Sequence, residues 1–144
     1  MTKWFKDYKL ADMQHMEKAT MLEHLGIKIT SIVDGVVKGT MPVDARTHQP
    51  MGLLHGGASC ALAESLGSIG AFLTVDPDKY YCVGLDINAN HVRTVRSGQV
   101  YGKAVALHTG KTTQVWSIEI TDEQGHLVCI SRLTMSVVPK QRFD

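Results

Sequence analysis

Cysteine is scarce in this sequence, and the few cysteines present lie far apart. Cys60, Cys82 and Cys129 are the three in the chain, and no two of them form a C-x-x-C pair. An odd number of widely spaced cysteines supports neither a disulfide framework nor a cysteine zinc site. The sequence therefore predicts a protein of the reducing cytoplasm.

An excess of charge of one sign is missing as well. Fifteen basic and fourteen acidic residues leave a formal net charge of +1. Without a field of one sign over the surface, long-range attraction to nucleic acid or to an anionic membrane is not expected. We therefore expect no nucleic-acid partner and no membrane partner, and any polyanionic ligand must bind at a local basic cluster.

Long uninterrupted apolar runs are also absent. The first 18 residues mix charges with single apolar residues, which argues against a secretory signal. The most apolar stretch, residues 56–75, contains Glu64, and a carboxylate near its middle argues against a lipid-facing helix. Both observations agree with a cytoplasmic location.

The composition that remains is typical of a globular domain. Of the 144 residues, 44% are apolar and 20% are charged. A chain of this length buries roughly 70% of the surface that its unfolded form exposes. We predict a single domain over residues 1–144, with an N-terminal helical segment at 1–24 and a polar, frayed tail at 139–144.

Apolar spacing and turn residues predict the order of elements. Residues 9–24 have helical spacing that ends at Gly26, and two short β-branched runs flank Asp34 and Gly35 as in a hairpin. The Ala- and Leu-rich stretch at 56–75 predicts one long helix. Four strands are then predicted over residues 80–92, 99–107, 113–121 and 126–138. In the third of these, alternation places Gln114, Trp116, Ile118 and Ile120 on one side, as in a half-buried strand.

This order predicts an α+β fold, in which one long central helix is wrapped by a curved antiparallel β-sheet of about six strands. The helix is apolar on nearly every side, whereas a single sheet covers only one of them. We therefore expect the protein to self-associate.

The start of the long helix carries the first candidate site. Gly56 and Gly57 follow His55, and unpaired N–H groups at the positive end of a helix dipole can stabilise a developing oxyanion. A plain loop entering a helix is the alternative. Glu64, the only charge in the helix, is either a paired or functional carboxylate or part of a solvated stripe. Ser68 follows on the same face, where its hydroxyl can position a water or bond a backbone carbonyl.

The spacing of these groups has a consequence for assembly. Eight residues separate Gly56 from Glu64, which is about 12 Å along a helix and too far for one glutamate side chain to reach. If both groups act on the same carbonyl, they come from two subunits whose helices run antiparallel. The chemistry then requires a two-fold homodimer.

A second candidate site is basic. Residues 88–98 contain a histidine and two arginines, and Lys103, His108 and Lys111 follow. Positive charge gathered at strand ends predicts phosphate or pyrophosphate binding, whereas a charged strand edge that resists aggregation is the alternative. The turn at 107–113 resembles a phosphate-binding loop, although it lacks the Walker pattern GxxxxGK[ST].

Other catalytic signatures are absent from the sequence. The seven histidines show neither HExxH nor paired-ligand spacing, so no metal site is expected. GxSxG is absent too, so a serine nucleophile elbow is not supported.

The sequence resembles the hotdog-fold acyl-CoA thioesterases in three segments: RTHQPMGLLHGGASCALAESLGSIGAF, VGLDINANHVRTVRSGQV and CISRLTMSV. This family is 4-hydroxybenzoyl-CoA thioesterase-like. The likeness is strongest to the branch with the 1,4-dihydroxy-2-naphthoyl-CoA thioesterases of menaquinone biosynthesis and the enterobactin proofreading thioesterases. It runs from about Trp4 to Val138, and it implies a long helix wrapped by an antiparallel sheet, dimers that often pair into homotetramers, and no cofactor other than the CoA of the substrate.

The resemblance also implies roles for individual residues. Glu64 matches the catalytic carboxylate, as nucleophile or as general base, and the Gly56 N–H matches the donor to the thioester oxygen. Gln49 and His55 match residues that line the acyl site, and Ser68 matches a position that orients water. The positions that match contacts with coenzyme A are Gly84, His91, Val92, Arg93, Thr94, His108, Thr109, Gly110, Lys111, Thr112, Thr113 and Ser136.

We therefore expect a thioester hydrolase acting on an aromatic or medium-length acyl-CoA. One alternative is a proofreading thioesterase that acts on aryl groups bound to an acyl carrier protein. A hotdog hydratase or dehydratase is another, disfavoured because D-x-N-P-x-H is absent, and a non-catalytic acyl-CoA binder is the last. Met51, Phe72 and Leu73 are candidates either for the acyl pocket or for the core.

Overall fold

The structure is a computed structural model that describes residues 2–142. Two short helices open it, α1 at Leu10–Glu17 and α2 at Met21–Leu25. The Thr20 hydroxyl accepts a hydrogen bond from the Leu22 N–H at the start of α2, as N-caps do. Gly26 ends α2 in a left-handed conformation, with φ of 70°. The predicted N-terminal helices and their stop are confirmed.

The remaining elements form one long helix and six strands. Strands β1 at Lys28–Val33 and β2 at Val36–Pro42 make the predicted hairpin, and α3 is the long helix at Gly56–Leu73. The four later strands are β3 at Tyr80–His91, β4 at Gln99–Thr109, β5 at Thr113–Thr121 and β6 at Leu127–Pro139. These bounds differ from the predicted ones by at most two residues at either end.

All six strands belong to one antiparallel sheet in the order β1-β2-β4-β5-β6-β3. Strand β3 crosses over to pair with β6, so it lies at the opposite edge of the sheet from β1. A register shift between Gly84 and Asp86 marks a bulge in β3. Bulges re-aim side chains, and this one lies beside the candidate carboxylate described below.

The hydrophobic core lies between α3 and the inner face of the sheet. Trp116, Ile118 and Ile120 of β5 are fully buried, as their alternation predicts, and they pack with Leu62 and Leu66 of the helix. The other side of α3 is only half-buried in the single chain, as predicted for a helix with one sheet to cover it. That half-buried side consists of Cys60, Ala61, Glu64, Ser65, Ser68 and Phe72.

Strand β3 is an exposed edge with a large apolar content. Five large apolar residues on it or just beyond it remain solvent-exposed: Tyr80, Tyr81, Val83, Leu85 and Val92. Edge strands with exposed apolar side chains are suited to pairing with another chain. Within residues 2–142, no helix is both long and apolar enough to cross a membrane.

The C-terminal tail begins as ordered structure, contrary to the prediction that residues 139–144 are frayed. Pro139 closes β6, and Lys140–Arg142 form a short 3-10 turn. The Lys140 N–H donates to the Lys79 carbonyl, 3.0 Å away, and this bond ties the turn to the start of β3. Phe143 and Asp144 lie outside the described residues.

Candidate active site

The start of α3 presents one backbone N–H that has no acceptor among residues 2–142. The His55 ring caps the helix, because its Nδ1 accepts from the Gly57 N–H at 2.7 Å. The His55 carbonyl accepts from Ala58 and Ser59. Within residues 2–142, the Gly56 N–H meets no acceptor. A bare N–H at the positive end of a helix dipole suits an oxyanion.

This donor opens onto a cavity of about 590 Å³. The loop before α3 and the segment after β3 form its walls, and Val128 of β6 closes it on one side. Its lining mixes apolar and polar groups, as small-molecule sites do. The lining residues are Gln49, Leu53, Leu54, Gly56, Ser59, His91, Val92, Arg93, Thr94 and Val128.

The loop before α3 is fixed by its own hydrogen bonds. The Gln49 N–H donates to the Leu53 carbonyl at 2.8 Å, and the Leu54 N–H donates to the Val95 carbonyl at 2.8 Å. The Gln49 side-chain oxygen accepts from the Met51 N–H. The NH₂ of Gln49 forms no hydrogen bond within residues 2–142, so it can donate to a ligand in the cavity.

His91 lies directly against the helix start. A Cβ built on Gly56 would lie 2.8 Å from Nε2 of His91. Only glycine allows the imidazole to approach the backbone this closely without moving. The glycine at position 56 therefore leaves room for the His91 ring beside the unbonded N–H of this residue.

Glu64 lies further along α3, half-buried against β3. A Cβ built on Gly84 would lie 2.5 Å from Oε1 of Glu64, so the carboxylate rests on the bare backbone of that glycine. Ser68 is one turn on, and its hydroxyl donates to the sulfur of Met135 at 3.7 Å. Met135 pairs with Gly84 across the sheet. Glu64, Ser68 and Gly84 therefore form one local group.

The thiol nearest to Glu64 is a poor nucleophile. Burial, and after it the negative charge of Glu64, raises the pKa of the Cys60 thiol. Burial raises the pKa of Cys82 and of Cys129 to about 11. Because the thiolate is the reactive form, a raised pKa keeps these cysteines protonated near neutral pH and makes them poor nucleophiles.

The site residues inferred from the sequence fall into two separate groups in one chain. The helix-start group is Gln49, His55, Gly56 and residues 91–94. The carboxylate group is Glu64, Ser68, Gly84, Ser136 and residues 108–113, because Ser136 pairs with Thr113 on β5 and with Val83 on β3.

The two groups lie at opposite ends of the sheet. On β6, Met135 pairs with Gly84 and Cys129 pairs with His91. Met135 and Cys129 are six residues apart on β6, so the two pairs lie about 20 Å apart along the strand. Glu64 is not among the residues that line the helix-start cavity, in agreement with the 12 Å expected along the helix.

The prediction of a single basic cluster is wrong. His108 and Lys111 lie at the end of the sheet away from residues 91–96. Lys103 lies mid-strand, where it pairs with Lys38 of β2 and Glu119 of β5 and lines another cavity. Nearness in sequence suggested one cluster, but the 11 residues of β4 carry His108 and Lys111 to the opposite end of the sheet. Among the residues that the structure describes, no three His, Cys, Asp or Glu side chains could hold a metal ion together.

Comparison with known proteins decides the family. Residues 51–129, more than half of the chain, match the profile of the thioesterase superfamily.

The chain belongs to the thioesterase superfamily.

Individual members of the superfamily align over nearly the whole chain. A proofreading thioesterase EntH of Cronobacter turicensis is 48% identical over 135 residues, covering 94% of this chain and 98% of that protein. A 1,4-dihydroxy-2-naphthoyl-CoA hydrolase of Escherichia coli K12 is 47% identical with the same coverage. The solved structure of a mutant thioesterase from Pseudomonas aeruginosa has a TM-score of 0.93 and 48% identity, covering 96% of this chain and 99% of that chain.

These findings confirm several predictions made from the sequence. The six-stranded antiparallel sheet around a central helix is the hotdog fold, and the chain is a thioester hydrolase by its relatives. The resemblance to the branch with the proofreading and naphthoyl-CoA enzymes is confirmed as well. The roles inferred for individual residues remain predictions.

Several residues that line the helix-start cavity were not predicted from the sequence. Leu53, Leu54 and Val128 line it, whereas the acyl-pocket candidates Met51, Phe72 and Leu73 do not. Leu73 is fully buried in the core, Phe72 packs against Tyr8, and Met51 is largely exposed. Ser59 also lines the cavity and was missed, although its position three residues after Gly56 places it on the same helical face.

The contact between Gly84 and Glu64 yields a direct test. We expect Gly84→Ala to lower kcat by about 10- to 100-fold, because the added Cβ must push the carboxylate aside and small misplacements of a catalytic group are costly. The displaced atoms are the end of a flexible side chain, so Tm should change little. Thr30→Ala, an exposed position on β1 at the opposite edge of the sheet, should keep full activity. Full activity in Gly84→Ala would show that the position of the Glu64 carboxylate against Gly84 is not required for catalysis.

Proposed function

We propose that this thioesterase hydrolyses an aromatic or medium-length acyl-CoA in a site shared by two subunits. The helix-start group of one protomer would face the carboxylate group of its partner. The proposal rests on one observation. The unbonded Gly56 N–H faces a cavity, and Glu64, the only acidic residue of α3, does not line that cavity in the same chain. A two-fold axis between antiparallel helices brings the missing half to each cavity.

The exposed edge of β3 supports this dimer. Two copies of β3 that pair antiparallel across a two-fold axis would extend the sheet and cover exposed side chains such as Val83 and Leu85. The same pairing would run the two α3 helices past each other and cover their half-buried sides. A further pairing of dimers into a homotetramer is proposed on the family resemblance alone.

The chemistry follows from two charges that develop during the reaction. The Gly56 N–H holds the thioester oxygen as it becomes negative, and preorganised donors of this kind supply much of the rate. The partner's Glu64 either takes a proton from the attacking water or attacks the carbonyl carbon itself. If water attacks, the C–S bond breaks and the proton taken by Glu64 passes to the CoA thiolate, which leaves the acyl group as a free acid. If Glu64 attacks, breaking the C–S bond leaves an acyl–Glu64 anhydride. Water then cleaves this anhydride to the free acid and the carboxylate, and the proton released goes to the CoA thiolate. Water is the only co-reactant, and CoA is part of the substrate.

The ends of the sheet offer positive charge to the nucleotide part of CoA. Arg93 borders the helix-start cavity, and Lys111 lies on the turn within the carboxylate group. In the dimer both sets would approach one site from its two sides. Cationic side chains and backbone donors at strand ends suit phosphate and pyrophosphate groups.

A second candidate is proofreading on an acyl carrier protein. Its support is the EntH relative, which is named as a proofreading thioesterase and is as similar to this chain as the naphthoyl-CoA hydrolase. Both activities would use the same dimer site. They would differ in the carrier of the acyl thioester, which is coenzyme A in one case and a carrier protein in the other.

Release of free thiol from a substrate panel tests the proposal. We expect rapid turnover of benzoyl-CoA and hexanoyl-CoA, and at least tenfold lower kcat/KM for benzoyl groups carried on an aryl carrier protein. The reverse order would favour the proofreading function. Stoichiometric binding of benzoyl-CoA with no thiol released from any member of the panel would rule out hydrolysis and leave a non-catalytic binder.

A further inference from the structure

Ser59 is the one side chain of the helix-start cavity that is buried and polar and has no partner. The residue is 1% exposed, and it lines the cavity. Within residues 2–142, its hydroxyl forms no hydrogen bond. The hydroxyl is not among the fully buried polar atoms that lack a partner, so it reaches the open space of the cavity, where a ligand can bond it.

The usual local partner of a helical serine is already taken. Serine hydroxyls inside helices commonly bond the carbonyl four residues earlier, as Ser65 does with Ala61 at 2.6 Å on the same helix. For Ser59 that carbonyl belongs to His55, and it already accepts two backbone N–H groups, from Ala58 at 3.0 Å and from Ser59 itself at 3.2 Å. The Ser59 hydroxyl is therefore left for the cavity.

The position of Ser59 limits what it can bind. It follows Gly56 by three residues, so it lies on the same face of α3 about 4.5 Å further along the axis. A carbonyl oxygen held by the Gly56 N–H therefore places the first atoms of the acyl group, not its far end, beside Ser59. Leu53, Leu54 and Val128 supply apolar walls around that position, which suits an aromatic ring.

We propose that Ser59 is a specificity-determining residue that hydrogen-bonds a hydroxyl substituent adjacent to the thioester carbonyl of an aromatic acyl group. The inference rests on the proposed function, because it takes the Gly56 N–H as the donor to the thioester oxygen. A hydroxyl can both donate to and accept from Ser59, and an acyl group without one leaves Ser59 unbonded. Sites built around a buried hydrogen bond discriminate in this way between substrates with and without the matching group.

Three acyl-CoA substrates test this: benzoyl-CoA, 2-hydroxybenzoyl-CoA and 4-hydroxybenzoyl-CoA. In Ser59→Ala we expect kcat/KM for the 2-hydroxy substrate to fall about fivefold to tenfold, the size of one net hydrogen bond. The values for the other two should stay within about twofold, because neither carries a hydroxyl at the right place. Ser65→Ala is the matched control, since its hydroxyl is satisfied by its own helix, and it should leave all three values unchanged.

Equal losses for all three substrates, or no loss for any, would overturn the role of Ser59. Calorimetric binding of the same three compounds to Glu64→Gln, with and without Ser59→Ala, provides a readout that needs no turnover. Glu64→Gln should bind 2-hydroxybenzoyl-CoA about fivefold more tightly than benzoyl-CoA, and the double variant should lose that preference. If Glu64→Gln shows this preference but the wild type releases no thiol, the proposed hydrolysis is contradicted while the role of Ser59 is supported.

Discussion

Replacing Glu64 by glutamine is expected to lower kcat by about 10³- to 10⁴-fold while the protein keeps its fold. Glutamine retains the size and one oxygen of the side chain but can neither take a proton from water nor attack a carbonyl. Loss of a general base costs about 10²- to 10⁴-fold, and loss of a nucleophile costs at least as much. Thiol release from benzoyl-CoA measures the rate, and thermal unfolding checks the fold.

Two features make this result specific. Glu64 is half-buried beside Gly84, and no salt bridge to it is found within residues 2–142, so its removal breaks no ion pair that the fold needs. Glu119→Gln, an exposed carboxylate on the outer face of β5, is the control and should keep full activity. An active Glu64→Gln enzyme would mean that another group performs the chemistry.

Replacing Gly56 by proline is the second change with a large expected effect. Proline has no N–H, so it removes the proposed oxyanion donor, and loss of one such donor costs about 10²- to 10³-fold in kcat. The helix itself should tolerate the change, because Gly56 is the first residue of α3, where proline is accepted. His55 already has the extended conformation that a residue before proline requires, with φ of −68° and ψ of 130°.

Gly56→Ala separates the loss of the N–H from the added bulk. Alanine places a Cβ against His91, as proline does, but keeps the N–H. We expect the proline variant to be about 10²-fold slower than the alanine variant, with similar KM. Equal activities in the two variants would show that crowding at His91, and not the missing donor, accounts for the loss.

The local elements were predictable because local residues determine them. The β1–β2 hairpin follows from Asp34 and Gly35, and α3 follows from a long Ala- and Leu-rich stretch between glycines and Asp76-Pro77. The alternation in β5 correctly indicated which side chains are buried. Each of these signals lies within about twenty residues of chain.

The pairing of distant strands was not predictable in the same way. Nothing in the sequence of β3 says that it pairs with β6 at the edge of the sheet, with β5 and β6 between it and β4, the next strand in the chain. The cavity also depends on Val128, which reaches Gly56 only through that pairing. The free Ser59 hydroxyl depends on how the His55 carbonyl is used, and that geometry exists only once the helix start is built.

Complementation between two inactive variants tests the shared site most directly. Glu64→Gln and Gly56→Pro are co-expressed with different tags and purified through both tags, so that every assembly contains both chains. In a mixed dimer, one site combines an intact helix start with an intact carboxylate, and the other site has neither. We predict that thiol release from benzoyl-CoA recovers to between about a quarter and a half of the wild-type rate per subunit, as two-fold pairing requires. A mixed assembly no faster than its two parents would contradict the account, because it would place both groups of each site within one chain.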